Sequence, residues 1–392
     1  MARPAPQKPL RTALIGLSAS AVTSWASTAH LPNFLTATGR SKFTITALLN
    51  SSTEAAQEAI KTYDLSLATK PYGNPSDLAK DPEVDFVVCN TRVDKHYETT
   101  LASIKAGKDA YIEWPIGSDI AQARELVVAS QESNARVAVG LQGRWAPPVL
   151  KLKEIVEQAG LGKILSSEVR AYGGTNHRGV LPVGLKYFAE RKVGGNPITI
   201  GFGHAVIDFV QFVVGELIPG TVHTRFELQR PEIRIRDPKS GRIIETVRSD
   251  VPDLLSLDGL WPTASEYTAD NATLLFQFRR GQPFPGTPSL EWRINFEDGE
   301  VRLVSPSGIS LQAAAYDEPV TIQLHHFDTE KVENIEWDWN SLQKEVPIRA
   351  RTVLSCLYAF ADGVREGYGW VGIEDAARRA EQIEGWLKEG GW

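Results

Sequence analysis

Short apolar runs alternate with segments of helical spacing over the first part of the chain. The runs predict buried strands at 13–15, 43–49, 84–89, 110–112 and 136–141, and helices at 97–106, 119–130 and from 53 onward. Strands that are apolar throughout and separated by helices indicate a parallel sheet with right-handed crossovers, covered on both faces. We therefore predict an α/β domain built on a doubly wound parallel sheet.

The pattern changes near residue 160, where strands follow one another with few helices between them. Strands are predicted at 165–172, 274–279, 290–296, 301–304 and 320–324, and helices at 202–214, 353–364 and 373–387. Such a run of strands indicates an α+β domain with a large, open, mainly antiparallel sheet. We divide the chain into a Pro-rich flexible tail at 1–9, a first domain at 10–145 and a second domain at 146–392. The pattern leaves open whether the last helices pack back on the first domain.

The stretch 230–249 is locally basic and rich in turn residues. We interpret it as a solvated hairpin inserted into the second domain. A partner-binding loop is the alternative.

Composition narrows the class of protein. With 392 residues, 42% of them hydrophobic and 23% charged, the chain is typical of a globular protein with a large core. Its net charge of −6 argues against direct nucleic-acid binding. The longest apolar candidate is interrupted at Asp208, so no membrane span is predicted. Cys89 and Cys356 lie in apolar surroundings, which suits a reducing compartment. We expect a cytoplasmic protein, with the nucleus left open.

The first apolar run ends at a glycine that is followed by small residues. A strand, a tight glycine turn and a helix starting there form a site for a dinucleotide pyrophosphate, because the free N–H groups and the helix dipole favour an anion. Of the usual G-x-G-x-x-G fingerprint the chain keeps only the first glycine, and an ordinary turn is the alternative. The candidate cofactor-binding residues in this loop are Gly16, Leu17, Ser18, Ala19 and Ser20.

The second strand is followed by Asn50, Ser51 and Ser52, where an enzyme selective for NAD usually has a carboxylate. These side chains could bind the 2′-phosphate of NADP by hydrogen bonds, although no arginine supports them. We therefore predict NADP or NAD as cofactor, with NADP bound at least as tightly.

Further candidates follow two other strands at their carboxyl ends, where ligands bind in such sheets. Asn90 and Thr91 form a turn, and His96 opens the next helix. We interpret His96 as a residue that packs near the cofactor rather than as a catalytic group. Glu113 and Trp114 follow the next strand. The indole of Trp114 is either exposed at the turn that leads into the next helix, or it forms a surface against which the nicotinamide packs.

One histidine has the surroundings of a catalytic base. His204 begins a helix whose next turn carries Asp208 on the same face, so the carboxylate could orient the imidazole. A satisfied core histidine is the alternative. The adjacent His325 and His326 alternate on a predicted strand and cannot form a metal pair, and we predict no metal site.

Two stretches resemble the Gfo/Idh/MocA oxidoreductase family, named for glucose–fructose oxidoreductase and inositol dehydrogenase. They are VDFVVCNTRVDKHYETTLASIKAGKDAYIEWP and GFGHAVIDFVQFVVGE. The resemblance implies a Rossmann domain that binds a nicotinamide dinucleotide, and a second domain whose open sheet often forms an oligomer interface. We therefore expect a dimer or a larger homo-oligomer.

The chain departs from the family at two positions. Trp114 replaces the lysine of the Glu-Lys-Pro motif, and Ile200 replaces the aspartate four residues before the histidine. In the family's dehydrogenases these three groups handle the proton that accompanies hydride transfer. Only His204 remains here, and the loss of an ammonium group removes electrostatic stabilisation of the reacting oxygen.

The departures are similar to those of one branch of the family, the fungal regulators of galactose genes. The similarity extends to Gln142 and Arg144, which it places near the cofactor, and to Lys186 and Tyr187. Two functions stay open. The first, which we favour, is an NAD(P)-dependent oxidoreductase of a small carbonyl, polyol or sugar-like metabolite, with His204 as acid/base and Lys186, Tyr187 and Asp208 as further candidates. The second is a catalytically silent dinucleotide-binding regulator that acts through a protein partner.

Overall fold

A computed structural model describes residues 8–21, 25–173, 177–193, 206–262, 266–313, 315–364 and 369–392. By its internal contacts the chain forms two compact units. The first comprises Met1–Gln142, Lys192–Gly195 and Asn340–Glu381, and the second comprises Gly143–Arg191, Asn196–Trp339 and Gln382–Trp392. The first break thus falls three residues before the boundary drawn from the sequence pattern.

The first unit is built on a six-stranded, wholly parallel sheet. Its strands are β1 (Leu10–Ile15), β2 (Phe43–Leu49), β3 (Lys70–Tyr72), β4 (Phe86–Cys89), β5 (Asp109–Glu113) and β6 (Val137–Gly140). Their order is β3-β2-β1-β4-β5-β6, so the chain reverses direction across the sheet between β1 and β4. This parallel strand order confirms the prediction of a doubly wound α/β sheet. β4 and β6 are buried along their whole length, as expected for strands inside such a sheet.

Helices connect and cover these strands. In the first unit they are α1 (Leu31–Leu35), α2 (Ala37–Lys42), α3 (Thr53–Thr62), α4 (Pro75–Lys80), α5 (His96–Lys105), α6 (Ile120–Ser133), α9 (Ser341–Lys344) and α10 (Arg351–Ala361), and α11 (Ile373–Glu389) runs from the first unit into the second. The first helical segment differs from the simplest expectation, because a π-helical turn, Ala26–His30, precedes α1. β1 ends at Ile15, and this turn begins at Ala26.

The second unit contains α7 (Pro147–Gln158), α8 (Ile207–Val214) and an eight-stranded sheet. The strands of this sheet are β7 (Ile164–Gly173), β9 (His223–Glu227), β12 (Leu254–Leu260), β13 (Thr268–Arg280), β14 (Leu290–Phe296), β15 (Gly299–Ser305), β16 (Thr321–His326) and β17 (Lys331–Asn334). Their order is β17-β16-β15-β14-β7-β13-β12-β9, and only the β7–β13 pair is parallel among these strands. This confirms the mainly antiparallel sheet.

The basic insertion forms part of a separate three-stranded sheet. β10 (Glu232–Arg236) and β11 (Ile243–Arg248) make the expected antiparallel hairpin, and β8 (Val180–Pro182) pairs with β10 in parallel. Ile233 and Ile235 pack with Leu181 and Ala189 in a small core of their own. The hairpin thus buries one face of β10, while all but one residue of β11 is exposed.

None of the helices in the described ranges is both long and apolar enough to cross a membrane.

Candidate functional site

The turn after β1 brings together the ends of three strands of the first unit. Gly16 has a φ of +90° and donates its N–H to Leu49 at the end of β2, at 2.9 Å. The N–H of Asn90 after β4 donates to Ile15, also at 2.9 Å. A Cβ on Gly16 would lie 2.9 Å from Thr91 Cγ2 and 3.0 Å from its backbone nitrogen. Glycine is required here both by conformation and by the close approach of the next turn.

Residues 17–20 form a loop whose backbone is held by hydrogen bonds on one side and whose other side is exposed to solvent. The Asn50 amide donates to the Leu17 carbonyl at 2.9 Å, and the Tyr63 hydroxyl donates to the Ser18 carbonyl at 3.2 Å. The Ser18 and Ser20 hydroxyls lie 3.2 Å apart, and Ser20 and Ala19 are exposed. The loop therefore presents hydroxyl groups and backbone to solvent, while its shape is set by contacts with the segments after β2.

The other two residues after β2 have different roles. The Ser52 hydroxyl accepts the Ala55 N–H at 3.1 Å and caps α3, whereas the Ser51 side chain is exposed. Asn50 also donates to the Ala55 carbonyl at 3.3 Å. The Asn50 nitrogen is thus engaged with backbone, and Ser51 presents the hydroxyl that faces solvent.

The side chain of Asn90 is the most direct sign of a ligand. Both of its amide atoms, Nδ2 and Oδ1, are buried without a hydrogen-bond partner among the described residues. A buried polar group without a partner costs about 1–3 kcal/mol. The backbone of Asn90 lies beside Gly16, at the carboxyl edge of the sheet, where parallel strands bind ligands. An unpaired donor and acceptor at this point fit the amide and hydroxyl groups of a nicotinamide dinucleotide.

His96 links the two turns that follow β4 and β5. Its side chain is buried, with Nδ1 2.7 Å from the Pro115 carbonyl oxygen and Nε2 2.9 Å from that of Thr91. Burial lowers the pKa of His96, and the two carbonyls and the charge of Glu113 act against that shift. His96 thus lies beside the candidate site and fixes its backbone.

A buried polar network surrounds the carboxylate at the end of β5. Glu113 Oε1 accepts hydrogen bonds from His30 Nε2 at 2.6 Å and from Gln142 Nε2 at 2.8 Å. The Tyr111 hydroxyl lies 3.3 Å from the same oxygen, and its pKa is raised by burial and by the nearby charge of Glu113. Trp114, the next residue, is only 5% exposed, so it belongs to the buried part of this edge.

The sequence pattern did not predict three residues that contact the candidate site of the first unit. These are His30 and Tyr111, beside Glu113, and Tyr63, which bonds the loop 17–20. His30 lies 83 residues before Glu113 and on an irregular helical turn, so no spacing connects the two. Tyr111 lies within a predicted strand, and its alternation with Glu113 on one face is the only signal that could have pointed to it. Tyr63 follows α3, where nothing in the pattern distinguishes it.

The second unit contains a buried ion pair. Arg144 donates to the two Asp208 oxygens, from Nε at 2.8 Å and from Nη2 at 2.7 Å, and its guanidinium also lies over the Phe212 ring. The Asp208 side chain is fully buried. Of the two residues of the predicted acid/base pair, His204 lies outside the described residues. The aspartate is held by a bidentate arginine, a strong and directional contact.

Lys186 and Tyr187 lie on a 3₁₀ helix, Val183–Ala189, that follows β8. The Lys186 ammonium is 2.7 Å from Glu245 Oε2 on the hairpin strand β11. The Tyr187 ring packs against Phe188, with 4.3 Å between their centroids. The three-stranded sheet therefore holds the Lys186 side chain, whereas the contact of Tyr187 with Phe188 lies within its own 3₁₀ helix.

In the described part of the chain, no group of three or more His, Cys, Asp or Glu side chains is placed to hold a metal ion. His325 bonds Glu330 and His326 bonds Glu333 at the surface.

A six-stranded parallel sheet of this strand order, with a glycine turn after its first strand, has the architecture of a Rossmann fold, here combined with an α+β unit. Residues 10–141 match the model of the oxidoreductase family with an NAD-binding Rossmann fold, Gfo/Idh/MocA. Residues 147–305 match the model of the Gal80p C-terminal domain. The chain belongs to the Gfo/Idh/MocA oxidoreductase family, which confirms the resemblance seen in its motifs.

Two kinds of protein are similar to this chain. The dehydrogenase aclE of Aspergillus oryzae is 31% identical over 313 residues, 76% of this chain and 78% of that protein. The galactose/lactose metabolism regulatory protein GAL80 of Saccharomyces cerevisiae is 26% identical over 309 residues, 77% of this chain and 68% of that protein. The crystal structure of a super-repressor mutant of Gal80p from S. cerevisiae superposes with a TM-score of 0.82 at 22% identity, over 97% of this chain and 96% of that one. The relatives thus include both a dehydrogenase and a regulator.

Proposed function

We propose that the first unit binds a nicotinamide dinucleotide, with NADP bound at least as tightly as NAD. The observation that carries the proposal is the Asn90 side-chain amide, whose buried donor and acceptor have no hydrogen-bond partner among the described residues. Asn90 lies on the turn after β4, whose backbone approaches Gly16. The loop 17–20 and Ser51 would hold the phosphates and the adenosine ribose. Glu113 and Trp114 would border the nicotinamide.

We further propose that the protein is an oxidoreductase acting on a small carbonyl, polyol or sugar-like metabolite. The bound dinucleotide supplies the hydride donor or acceptor. His204 exchanges the accompanying proton, and Lys186 and Tyr187 are the further catalytic candidates that would assist it. Trp114 cannot transfer a proton, but its buried ring excludes water from the nicotinamide side of the site. The similarity to the aclE dehydrogenase supports this choice.

The alternative is a catalytically silent regulator that binds a dinucleotide and a protein partner. One specific observation favours it: an indole replaces the ammonium of the family motif at Trp114. The match to the Gal80p C-terminal domain points in the same direction. The two functions share the dinucleotide site and differ in whether hydride is transferred.

Turnover separates the two functions. The purified protein would be screened with NAD and NADP against carbonyls, polyols and sugars, alongside His204→Ala. We expect turnover in the parent chain and a loss of roughly 10²–10⁴-fold in the variant, the usual contribution of one acid/base group. Dinucleotide affinity should stay unchanged. Full activity of His204→Ala would remove the proposed mechanism, and no turnover by the parent with any substrate would favour the regulator.

The role of Asn90 has its own test. Asn90→Ala should weaken dinucleotide binding about tenfold, or about 1.4 kcal/mol, the contribution of one good hydrogen bond. It should not lower stability, because the amide has no protein partner to lose. Asn334→Ala on the exposed strand β17 is the matched control and should change neither property. An Asn90→Ala variant that binds as tightly as the parent would contradict the assignment.

We also propose that the protein assembles as a homo-oligomer through the open face of the eight-stranded sheet. That face carries a charged cluster in which Arg293 and Arg302 both bond Glu291. The half-exposed Leu275 lies on the same face two strands away, on β13. Such mixed polar faces can pair with a copy of themselves. Sedimentation should show at least a dimer at micromolar concentration, and a monomer there would contradict the proposal.

A further inference from the structure

The ring of His96 lies between two backbone carbonyls and has one nitrogen facing each. Nδ1 is 2.7 Å from the Pro115 oxygen and Nε2 is 2.9 Å from the Thr91 oxygen. A carbonyl oxygen only accepts hydrogen bonds, and neutral imidazole carries a single N–H. In the neutral ring one nitrogen lone pair would therefore face an oxygen at hydrogen-bond distance. Only the imidazolium, with two N–H groups, satisfies both contacts.

These contacts join the two turns at the carboxyl ends of β4 and β5. The Thr91 turn packs against Gly16, and Pro115 follows Trp114. Both turns border the candidate dinucleotide site of the first unit. The protonation state of His96 thus decides whether hydrogen bonds hold both turns at the same time.

We propose that His96 is a positioning residue that holds both turns as an imidazolium, so that dinucleotide binding is coupled to the uptake of one proton at this ring. The inference rests on the proposed dinucleotide-binding function. A dinucleotide seated on both turns fixes the two carbonyls in place, which favours the doubly donating ring. Without the ligand, either turn can move away from a neutral ring.

The charged and titratable groups around His96 agree with such a coupling. Glu113 on β5 and Asp94 on the preceding turn both favour the cation, and Asp94 is itself paired with Arg92. Cys89 on β4 is a buried thiol whose pKa is raised by burial, so it stays neutral. Burial opposes the cation and keeps the pKa of His96 below its ordinary value in the free protein. Proton uptake on binding is therefore expected in the acidic to neutral range.

The affinity for NAD would be measured by calorimetry from about pH 5.5 to about pH 8.5, a range that spans the ordinary histidine pKa. NAD is the probe because the 2′-phosphate of NADP would itself titrate in this range. A ligand that prefers the protonated ring must bind more weakly as the pH rises. We expect affinity to fall about tenfold across the range, which corresponds to a rise of about one unit in the His96 pKa on binding.

His96→Gln carries both of its N–H groups on one nitrogen, so it cannot reproduce the two contacts that the separate ring nitrogens make, and it does not titrate. It should bind NAD more weakly at low pH and show a flat profile. His223→Gln, which removes an exposed histidine of the second unit, should keep the slope of the parent. At the low end of this pH range, the ring-nitrogen NMR shifts of selectively labelled histidines in the parent–NAD complex should show His96 protonated at both positions. A neutral His96 in that complex, or an unchanged slope in His96→Gln, would overturn the inference. Failure of the parent to bind NAD or NADP at every pH would remove the proposed function and this inference with it.

Discussion

The carboxylate network of the first unit depends on a residue that contributes no side chain. Gly140 on β6 lies opposite Glu113 in the sheet register. A Cβ at this position would lie 2.8 Å from the Tyr111 hydroxyl, 2.9 Å from Gln142 Nε2 and 3.0 Å from Glu113 Oε2. All three atoms belong to the buried network, and side-chain Cβ atoms do not approach others so closely. Gly140→Ala must therefore displace part of the network.

The expected cost follows from these distances. Crowding a packed interior by one methyl group costs about 1–3 kcal/mol. Moving the Gln142 amide loses a hydrogen bond to a charged group, worth about 1.5–3 kcal/mol. Together these terms predict a destabilisation of about 2.5–6 kcal/mol for Gly140→Ala, measured by urea unfolding. Dinucleotide affinity should fall as well, because the displaced Glu113 precedes Trp114 at the edge of the site.

Gly385 supplies a matched control, since it lies inside α11. Apart from the helix's own backbone and the adjoining residues, an added Cβ there would meet no atom of the described chain within 4 Å. Gly385→Ala should raise stability by about 0.5–1 kcal/mol through helix propensity alone. If Gly140→Ala costs less than about 1 kcal/mol, or if both variants change stability alike, the network is not as tightly packed as the distances require.

The remaining predictions concern charge. Arg144→Met should destabilise the protein by about 3–5 kcal/mol in urea unfolding, because it leaves the buried Asp208 carboxylate without its bidentate donor. The double variant Arg144→Met/Asp208→Leu should recover most of that loss, and equal losses in both variants would argue against a coupled pair. The Arg11 guanidinium holds the pKa of Asp85 below its usual range. A lowered carboxyl pKa contributes stability above the unfolded pKa and loses it as the pH falls through the folded pKa. Asp85→Asn should therefore cost under about 1 kcal/mol at neutral pH, a cost that shrinks as the pH falls below about 4 and vanishes only below the folded pKa of Asp85. A difference that persists in acid would contradict this pairing.

The sequence pattern predicted most accurately the strands whose two ends coincide with apolar residues. β2 and β14 begin and end where their apolar residues do. β3 was missed because it has only three residues and contains Pro71, which a strand tolerates at the edge of a sheet. β9 and β17 were missed because they are largely exposed edge strands without a buried face to produce alternation.

Residues of the candidate site could be predicted only where backbone geometry, or the position at the end of a strand, requires a recognisable residue type in the sequence. Gly16 was found because a turn with positive φ after a strand needs glycine, and Glu113 because it ends a buried strand. His30, which bonds Glu113, was not predicted, because the two residues meet through tertiary packing alone. The Lys186–Glu245 pair was missed for the same reason: the hairpin insertion that positions the lysine is 59 residues away along the chain.

Calorimetric titration of the parent protein with NADP and with NAD tests the central claim most directly. Binding of one dinucleotide per chain, with NADP at least as tight as NAD, is the predicted result. Tighter binding of NAD by tenfold or more, about 1.4 kcal/mol, would overturn the cofactor preference alone. No heat of binding and no thermal stabilisation with either dinucleotide would contradict the assignment of the site around Gly16 and Asn90.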